Sequence, residues 1–225
     1  AERDVAMSVQ ARISKIVELA VTEKVFPGAV VGVVDSGGKT EIVPAGNLRY
    51  GEASPVSSET IYDTASITKA VVTSTLVLKW LDRGWVDLQQ PAAPILAAFL
   101  KRKFSGELFS PENRAPLWEQ VTLHHLLTYT VAFDLRLSHL KEHSFPGLLK
   151  KIVQAPIQSI GESYSYSNAC SIFLTFIVLE IYFQKTGEEV SLGELAQTEI
   201  FEPLRMVNSS FSPDKHKQIA PTEID

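Results

Sequence analysis

Cysteine is almost absent from this 225-residue sequence: Cys170 stands alone. That excludes an intrachain disulfide framework and leaves the redox compartment open. Blocks of positive charge are missing too. Lys101-Arg102-Lys103 is the longest basic run and the net charge is -5, so no nucleic-acid partner is indicated and the short run reads as a solvated loop. The longest apolar stretch, Ala169 to Phe183, is short for a bilayer and carries Glu180, so it reads as a buried helix and no membrane span is expected. No secretory signal is recognisable, yet the first residue is Ala1 and not Met. The sequence therefore reads as a processed or trimmed product, with periplasmic, secreted and cytoplasmic locations all open. Internal repeats and low-complexity segments are lacking, and glycine and proline, 12 of each, are at ordinary levels.

What is present is the composition of a globular protein, 45% hydrophobic and 21% charged. A chain of this length folds as one large domain or two small packed ones and can bury about 70% of its extended surface. Ser8 to Lys24 places Ile13, Ile16, Val17, Ala20 and Val21 near helical spacing, predicting an amphipathic surface helix. Ala29 to Val34 is a continuous, mostly β-branched run suited to a buried strand. Asp35-Ser36-Gly37-Gly38-Lys39 reads as a hairpin turn, and Thr40 to Val43 begins the returning strand. Beyond Ala65 the pattern is helical or loop: a helix over 66–82 stopped at Gly84, an apolar segment over 94–100, and a short helix capped by Thr122. Further helices are expected over 144–155, over 168–184 ending at Gly187, and over 192–201. The last dozen residues read as a loose polar tail.

Two clusters carry chemistry. In Ser66-Ile67-Thr68-Lys69 the spacing of three puts the Ser66 hydroxyl and the Lys69 amine on one helical face, about a turn apart. A serine hydroxyl is a weak nucleophile until a neighbour takes its proton, and a first-turn position points backbone N–H groups and the positive helix end at a forming anion. Alone, Ser-x-x-Lys is a frequent accident; here it opens a helix apolar on most sides, which suits a site better than a solvated face. The second cluster, Tyr166-Ser167-Asn168, lies where a loop meets the 168–184 helix. A tyrosine relays protons when cations stabilise its phenolate, and an asparagine amide both donates and accepts. The plain alternatives are a packed Tyr166 and an N-capping Asn168.

Other patterns carry less. Gly37-Gly38-Lys39-Thr40 lacks the first glycine of a phosphate loop, since Val33 occupies it. No Gly-x-Ser-x-Gly elbow is present for a Ser-His-Asp hydrolase. His139 and His143 lie four apart without a third ligand nearby and read as a solvated pair, so no metal is expected; His124 and His125 read as structural.

Taken together, Phe26-Pro27-Gly28-Ala29, Thr60 to Lys69, His125-Leu126-Leu127-Thr128, Tyr166-Ser167-Asn168 and Pro203-Leu204-Arg205-Met206 resemble the serine β-lactamase and penicillin-binding-protein-like hydrolases. The likeness is to the class C β-lactamase and esterase branch. It runs from about residue 10 to the end of the chain, and the motifs are specific jointly. It implies an α+β, β-lactamase/transpeptidase-like fold with a mostly helical region and an incomplete antiparallel sheet. The expected parts are an N-terminal helix and hairpin over 1–62, a helical region with the two motifs over 63–210, and a tail over 211–225 leading toward C-terminal strands. The resemblance further implies Ser66 as the acylated nucleophile, Lys69 easing its deprotonation and Tyr166 as the proton shuttle. Asn168 would orient Lys69 and the substrate, and the Ser66 N–H would serve as one oxyanion donor. No metal or organic cofactor is implied. The expected partners are a small-molecule or peptide substrate and a completing C-terminal segment or a second copy of the chain.

The chain departs from the family pattern in places. Tyr129 replaces a histidine, Val131 a serine and Ala132 a glycine; if that glycine were left-handed, Ala132 would add about 1 kcal/mol of strain. Lys185-Thr186-Gly187 has the letters of the family's third motif but falls at a helix end, where it reads as a C-cap. The strand that bears that motif, and with it the second oxyanion donor, is expected beyond Asp225. Loss of one such donor costs on the order of 3 kcal/mol. The sequence thus predicts a serine hydrolase acting on a β-lactam, a D-alanyl peptide or a carboxylic ester through an acyl-enzyme. The alternative is an impaired or inactive binding or scaffold protein of the same fold.

Overall fold

A computed structural model describes residues 8–104, 108–135, 144–214 and 217–222. His139 and His143 lie outside the described residues. The chain divides into two compact units, one of residues 1–64 with 212–225 and one of residues 65–211.

The first unit starts with α1 (Val9–Thr22), whose first turn is capped by the Ser8 hydroxyl accepting from the Ala11 N–H at 3.1 Å. Val17 is the fully buried residue of α1, while Ile16 faces outward. Helix α1 lies along β2 (Thr40–Gly46), which pairs antiparallel with β1 (Gly28–Val34) from Gly28↔Gly46 to Val34↔Thr40. The connecting turn closes because Asp35 Oδ1 accepts from the Gly37 and Lys39 N–H groups at 2.8 and 2.9 Å, with Gly38 at φ 81°. At the far end Gly46 is obligatory: its φ is +81°, and a Cβ there would sit 2.4 Å from the Pro27 carbonyl oxygen. The expectation of a fully buried β1 is corrected. Its residues are half-buried or exposed, Val34 most of all, because in a two-stranded ribbon one face of each strand is left uncovered.

Within the tail, residues 217–222 are tied by hydrogen bonds to residues 55–61 and are not loose. Ile61 N–H donates to the Gln218 carbonyl and Ala220 N–H to the Ile61 carbonyl, both at 2.8 Å. The Gln218 side chain accepts from Thr60 and Ser57 and donates to the Pro55 carbonyl. Satisfied polar groups, not apolar burial, hold this segment.

The second unit is a helical body. Its helices are α2 (Thr75–Asp82), α3 (Ala92–Lys103), α4 (Leu123–Leu127), α5 (Phe145–Gln154), α6 (Asn168–Thr186) and α7 (Leu192–Ala196). A short antiparallel pair, β3 (Val131–Phe133) with β4 (Ile157–Ile160), joins them, with α5 lying between its strands in the chain. Helix α6 runs through the core, apolar on nearly every side, and α3 packs along it. It is long and apolar enough to cross a membrane, but burial among its neighbours is the simpler account of that composition. Around it the Trp80 and Trp118 indoles donate to the Val178 and Val153 carbonyls at 3.1 and 3.3 Å. Phe173 meets Trp118 edge-on at 4.7 Å. Glu180, the charge in the apolar run, is buried and held by Arg102, with Nε and Nη2 at 3.1 and 2.8 Å from one carboxylate oxygen, while Gln184 donates to the other. The basic run 101–103 is accordingly the last turn of α3, ion-paired to Glu180 and Glu189, and not a loop.

The helix over 66–82 is not α throughout: Lys69–Ser74 form a π-helical turn before α2, and Gln197–Phe201 widen in the same way after α7. Ser167, not Asn168, caps α6, its hydroxyl accepting from the Ala169 N–H at 3.1 Å. Ala132 sits in β3 without a positive φ; the left-handed residue of that segment is Tyr129, at φ 56°. Gly187 does end α6, at φ 76° with its N–H donating to the Phe183 carbonyl, so Lys185-Thr186-Gly187 is a helix end.

Candidate active site

Among the described residues four non-glycine positions have positive φ: Lys24, Ala65, Tyr129 and Arg205. Two of them flank the candidate residues: Ala65 immediately precedes Ser66, and Tyr129 lines the cleft over it. Such residues cost on the order of 1 kcal/mol each and persist only where their surroundings hold them. Ala65, at φ 44°, turns the chain into the helical segment, so that Ser66 stands at its start with the Lys69 N–H donating to the Ser66 carbonyl at 3.1 Å.

Tyr129 performs a matching turn at the end of α4. That helix opens with a reciprocal cap, Thr122 Oγ1 accepting from the His125 N–H and His125 Nδ1 accepting from the Thr122 N–H. His125 is thus structural, and burial first, then the charge of His124, lowers its pKa. The helix closes with the Tyr129 N–H donating to the Leu126 carbonyl and the Thr130 N–H to the His125 carbonyl, at 3.3 and 2.9 Å. This is the bonding of a Schellman motif, with tyrosine in the left-handed place that glycine usually fills. The chain leaving β4 is then tied to this turn, because the Gly161 N–H donates to the Thr130 carbonyl at 2.8 Å and the Ser165 N–H to the Tyr129 carbonyl at 2.7 Å. Those two bonds fix the loop that carries Tyr166.

The result is a three-group cluster. Lys69 Nζ donates to Ser66 Oγ at 2.7 Å, and the Tyr166 hydroxyl lies 3.0 Å from the same oxygen. Lys69 Nζ is also 5.5 Å from the Tyr166 ring centroid. Residues 66, 69 and 166, expected to converge, do so. A cleft of about 190 Å³ opens over them, its wall built from Tyr129, Tyr164 and Tyr166. Asn168 is placed differently. It shares with Lys69 a second cavity of about 440 Å³ that Tyr166 does not line, and no hydrogen bond joins the two among the described residues.

Electrostatics separate the neighbouring groups. The Tyr166 phenol is held below its ordinary pKa, first by the hydrogen bond with Ser66 and then by Lys69, which bonds to it and adds its charge. Tyr129 moves the opposite way, raised chiefly by burial. The buried Cys170 thiol is pushed up to about 12 by desolvation and stays protonated and unreactive. Chemically, a hydroxyl between an amine and a phenol, open to solvent on one side, can pass its proton to the phenol oxygen in its phenolate form as it attacks an electrophile. Sequence reasoning identified Tyr129 only as a departure from the family pattern and passed over Tyr164. The repeated tyrosines of Tyr164-Ser165-Tyr166 were the available signal for the aromatic wall.

The chain matches the Beta-lactamase family model over residues 11–225. It is 28% identical over 92 residues to an acyltransferase, calJ, of Penicillium decumbens, a match covering 39% of this chain and 21% of that protein. Among solved structures, a class C β-lactamase from Rhodobacter sphaeroides superposes with a TM-score of 0.61 at 25% identity, over 88% of this chain and 49% of the other. EstCE1, a hydrolase with promiscuous acyltransferase activity, superposes with a TM-score of 0.68 at 20% identity, over 93% of this chain and 55% of the other. The chain thus spans about half the length, or less, of the known proteins it matches. Its fold is the α+β, β-lactamase/transpeptidase-like one, and the chain belongs to the Beta-lactamase family of serine β-lactamase and penicillin-binding-protein-like proteins.

Proposed function

We propose that the chain carries the nucleophile of a serine hydrolase that cleaves an ester or amide through an acyl-enzyme on Ser66. The observation that carries this reading is the convergence on one oxygen: Ser66 Oγ lies 2.7 Å from Lys69 Nζ and 3.0 Å from the Tyr166 hydroxyl. As Ser66 Oγ attacks the substrate carbonyl, its proton passes to the Tyr166 oxygen in its phenolate form, with Lys69 stabilising that charge. The tetrahedral intermediate collapses, the bond to the leaving group breaks, and Tyr166 returns the proton to the departing oxygen or nitrogen. Water then gives a proton to the Tyr166 phenolate as it attacks the Ser66 ester; the bond between Ser66 Oγ and the acyl carbon breaks, Tyr166 returns the proton to Ser66 Oγ, and the acid is released. The Ser66 N–H serves as one oxyanion donor. Asn168, which lines the second cavity with Lys69, is assigned to contact the substrate amide; among the described residues no hydrogen bond ties it to the amine.

The names of two relatives favour a second reading, in which an alcohol or amine replaces water as the acyl acceptor. The first half-reaction is unchanged. A silent scaffold, the alternative favoured by the altered 129–132 segment and the absent third motif, loses part of its ground because Ala132 sits in β3 without a positive φ.

The test is labelling with a fluorescent phosphonate and with a penicillin probe, read by peptide mass spectrometry. Label is expected on Ser66 and lost in Ser66→Ala. Equal labelling of Ser66→Ala ends the proposal, as does the lack of both label and turnover with nitrophenyl esters and a chromogenic cephalosporin. An ester product formed on adding a primary alcohol would support the acyl-transfer reading.

A further inference from the structure

We propose that Tyr129 is a positioning residue for Tyr166, its ring and its carbonyl together holding the phenol on Ser66; this rests on the reading of Ser66 and Tyr166 given above. The two rings are stacked with centroids 5.6 Å apart and planes 7° from parallel. The Tyr129 carbonyl accepts from the N–H of Ser165, the residue just before Tyr166, at 2.7 Å. One residue therefore constrains both the backbone and the ring plane of the phenol. Such restraint matters because Tyr166 is 54% exposed. A tyrosine that open samples other rotamers unless something flat lies against it, and a misplacement of about 1 Å at a reacting group can cost about a hundredfold in rate. Tyr129 is itself well anchored: it is half-buried, it closes α4, and Tyr164 leans on its ring from 6.3 Å. The left-handed backbone at φ 56° aims its side chain across the cleft. A glycine there would close the helix with less strain and provide no ring, so the strained tyrosine is accounted for by the stack.

The experiment measures the rate of Ser66 acylation by a fluorescent phosphonate in the whole protein. The variants are Tyr129→Phe and Tyr129→Ala, each alone and combined with Tyr166→Phe. Tyr129→Phe keeps the ring and is expected within about threefold of the parent. Tyr129→Ala keeps the carbonyl, loses the stack and is expected to slow acylation about 10- to 100-fold. In the Tyr166→Phe background the same change is expected to alter the rate less than about twofold, since the oxygen being positioned is already gone. A Tyr129→Ala rate within threefold of the parent overturns the proposal, and so does an equal loss in both backgrounds, which marks a merely structural effect. If Tyr129→Ala melts below the assay temperature, Tyr129→Leu takes its place in the same comparison. Tyr166→Phe acylated as fast as the parent, or a parent never acylated at Ser66, would overturn the hydrolase reading and this role with it. A slow Tyr166→Phe beside an unaffected Tyr129→Ala removes the positioning role alone.

Discussion

Replacing Tyr166 with phenylalanine deletes one oxygen and little else. The ring keeps its stack on Tyr129 and its place 5.5 Å from Lys69 Nζ, while the lost atom is the one 3.0 Å from Ser66 Oγ. Because the side chain is more than half exposed, no cavity is created, and the change in stability is expected to stay within about 0.5 kcal/mol. The rate is a different matter. A positioned general base contributes about 10²- to 10⁴-fold, which at about 1.4 kcal/mol per tenfold is roughly 3–5 kcal/mol of barrier. The contact of Lys69 Nζ with Ser66 Oγ at 2.7 Å remains in the variant, so the low end of that range, about 10²-fold, is the expected loss. The assay is single-turnover acylation of Ser66, followed by intact mass at fixed phosphonate concentration, with a thermal melt alongside. An unchanged melt with acylation slowed by about 10²-fold fits the mechanism. Acylation within twofold of the parent would refute the assignment of the proton to Tyr166.

Two other predictions follow from the same contacts. Lys69 helps hold the Tyr166 phenol below its ordinary pKa, so the base form accumulates from a lower pH and acylation should rise through that pKa and level off above it. Lys69→Met removes that cation, and the rising limb should move to higher pH when rates are followed from about pH 6 to 11; a limb that stays in place contradicts the assignment. Elsewhere, Arg102→Met leaves the buried Glu180 carboxylate without its guanidinium and should cost about 3 kcal/mol in urea unfolding, much of it recovered by adding Glu180→Gln. Equal stability of Arg102→Met and the parent would show that the pair does not hold α3 against α6.

The sequence by itself determined the local pieces. Periodicity marked α1, α5 and α6. The Asp35 to Lys39 turn marked the first hairpin, Thr122 marked the start of α4 and Gly187 the end of α6, because each of these depends on residues within a few positions of one another. The spacing of Ser66 and Lys69 was legible for the same reason. What only the tertiary structure decided is everything that depends on distant partners. The strands β3 and β4 are too short to have a period of their own, and it is their pairing across the chain that carries α5 that aims residues 161–166 at the cleft. The basic run 101–103 ends a helix beside Glu180 and Glu189, and residues 217–222 of the polar tail are held by Gln218 bonding to residues 55–60. Tyr129 stood in the sequence as a substitution without a purpose. A left-handed φ and a parallel ring at 5.6 Å are relations between segments, which no single stretch of residues contains.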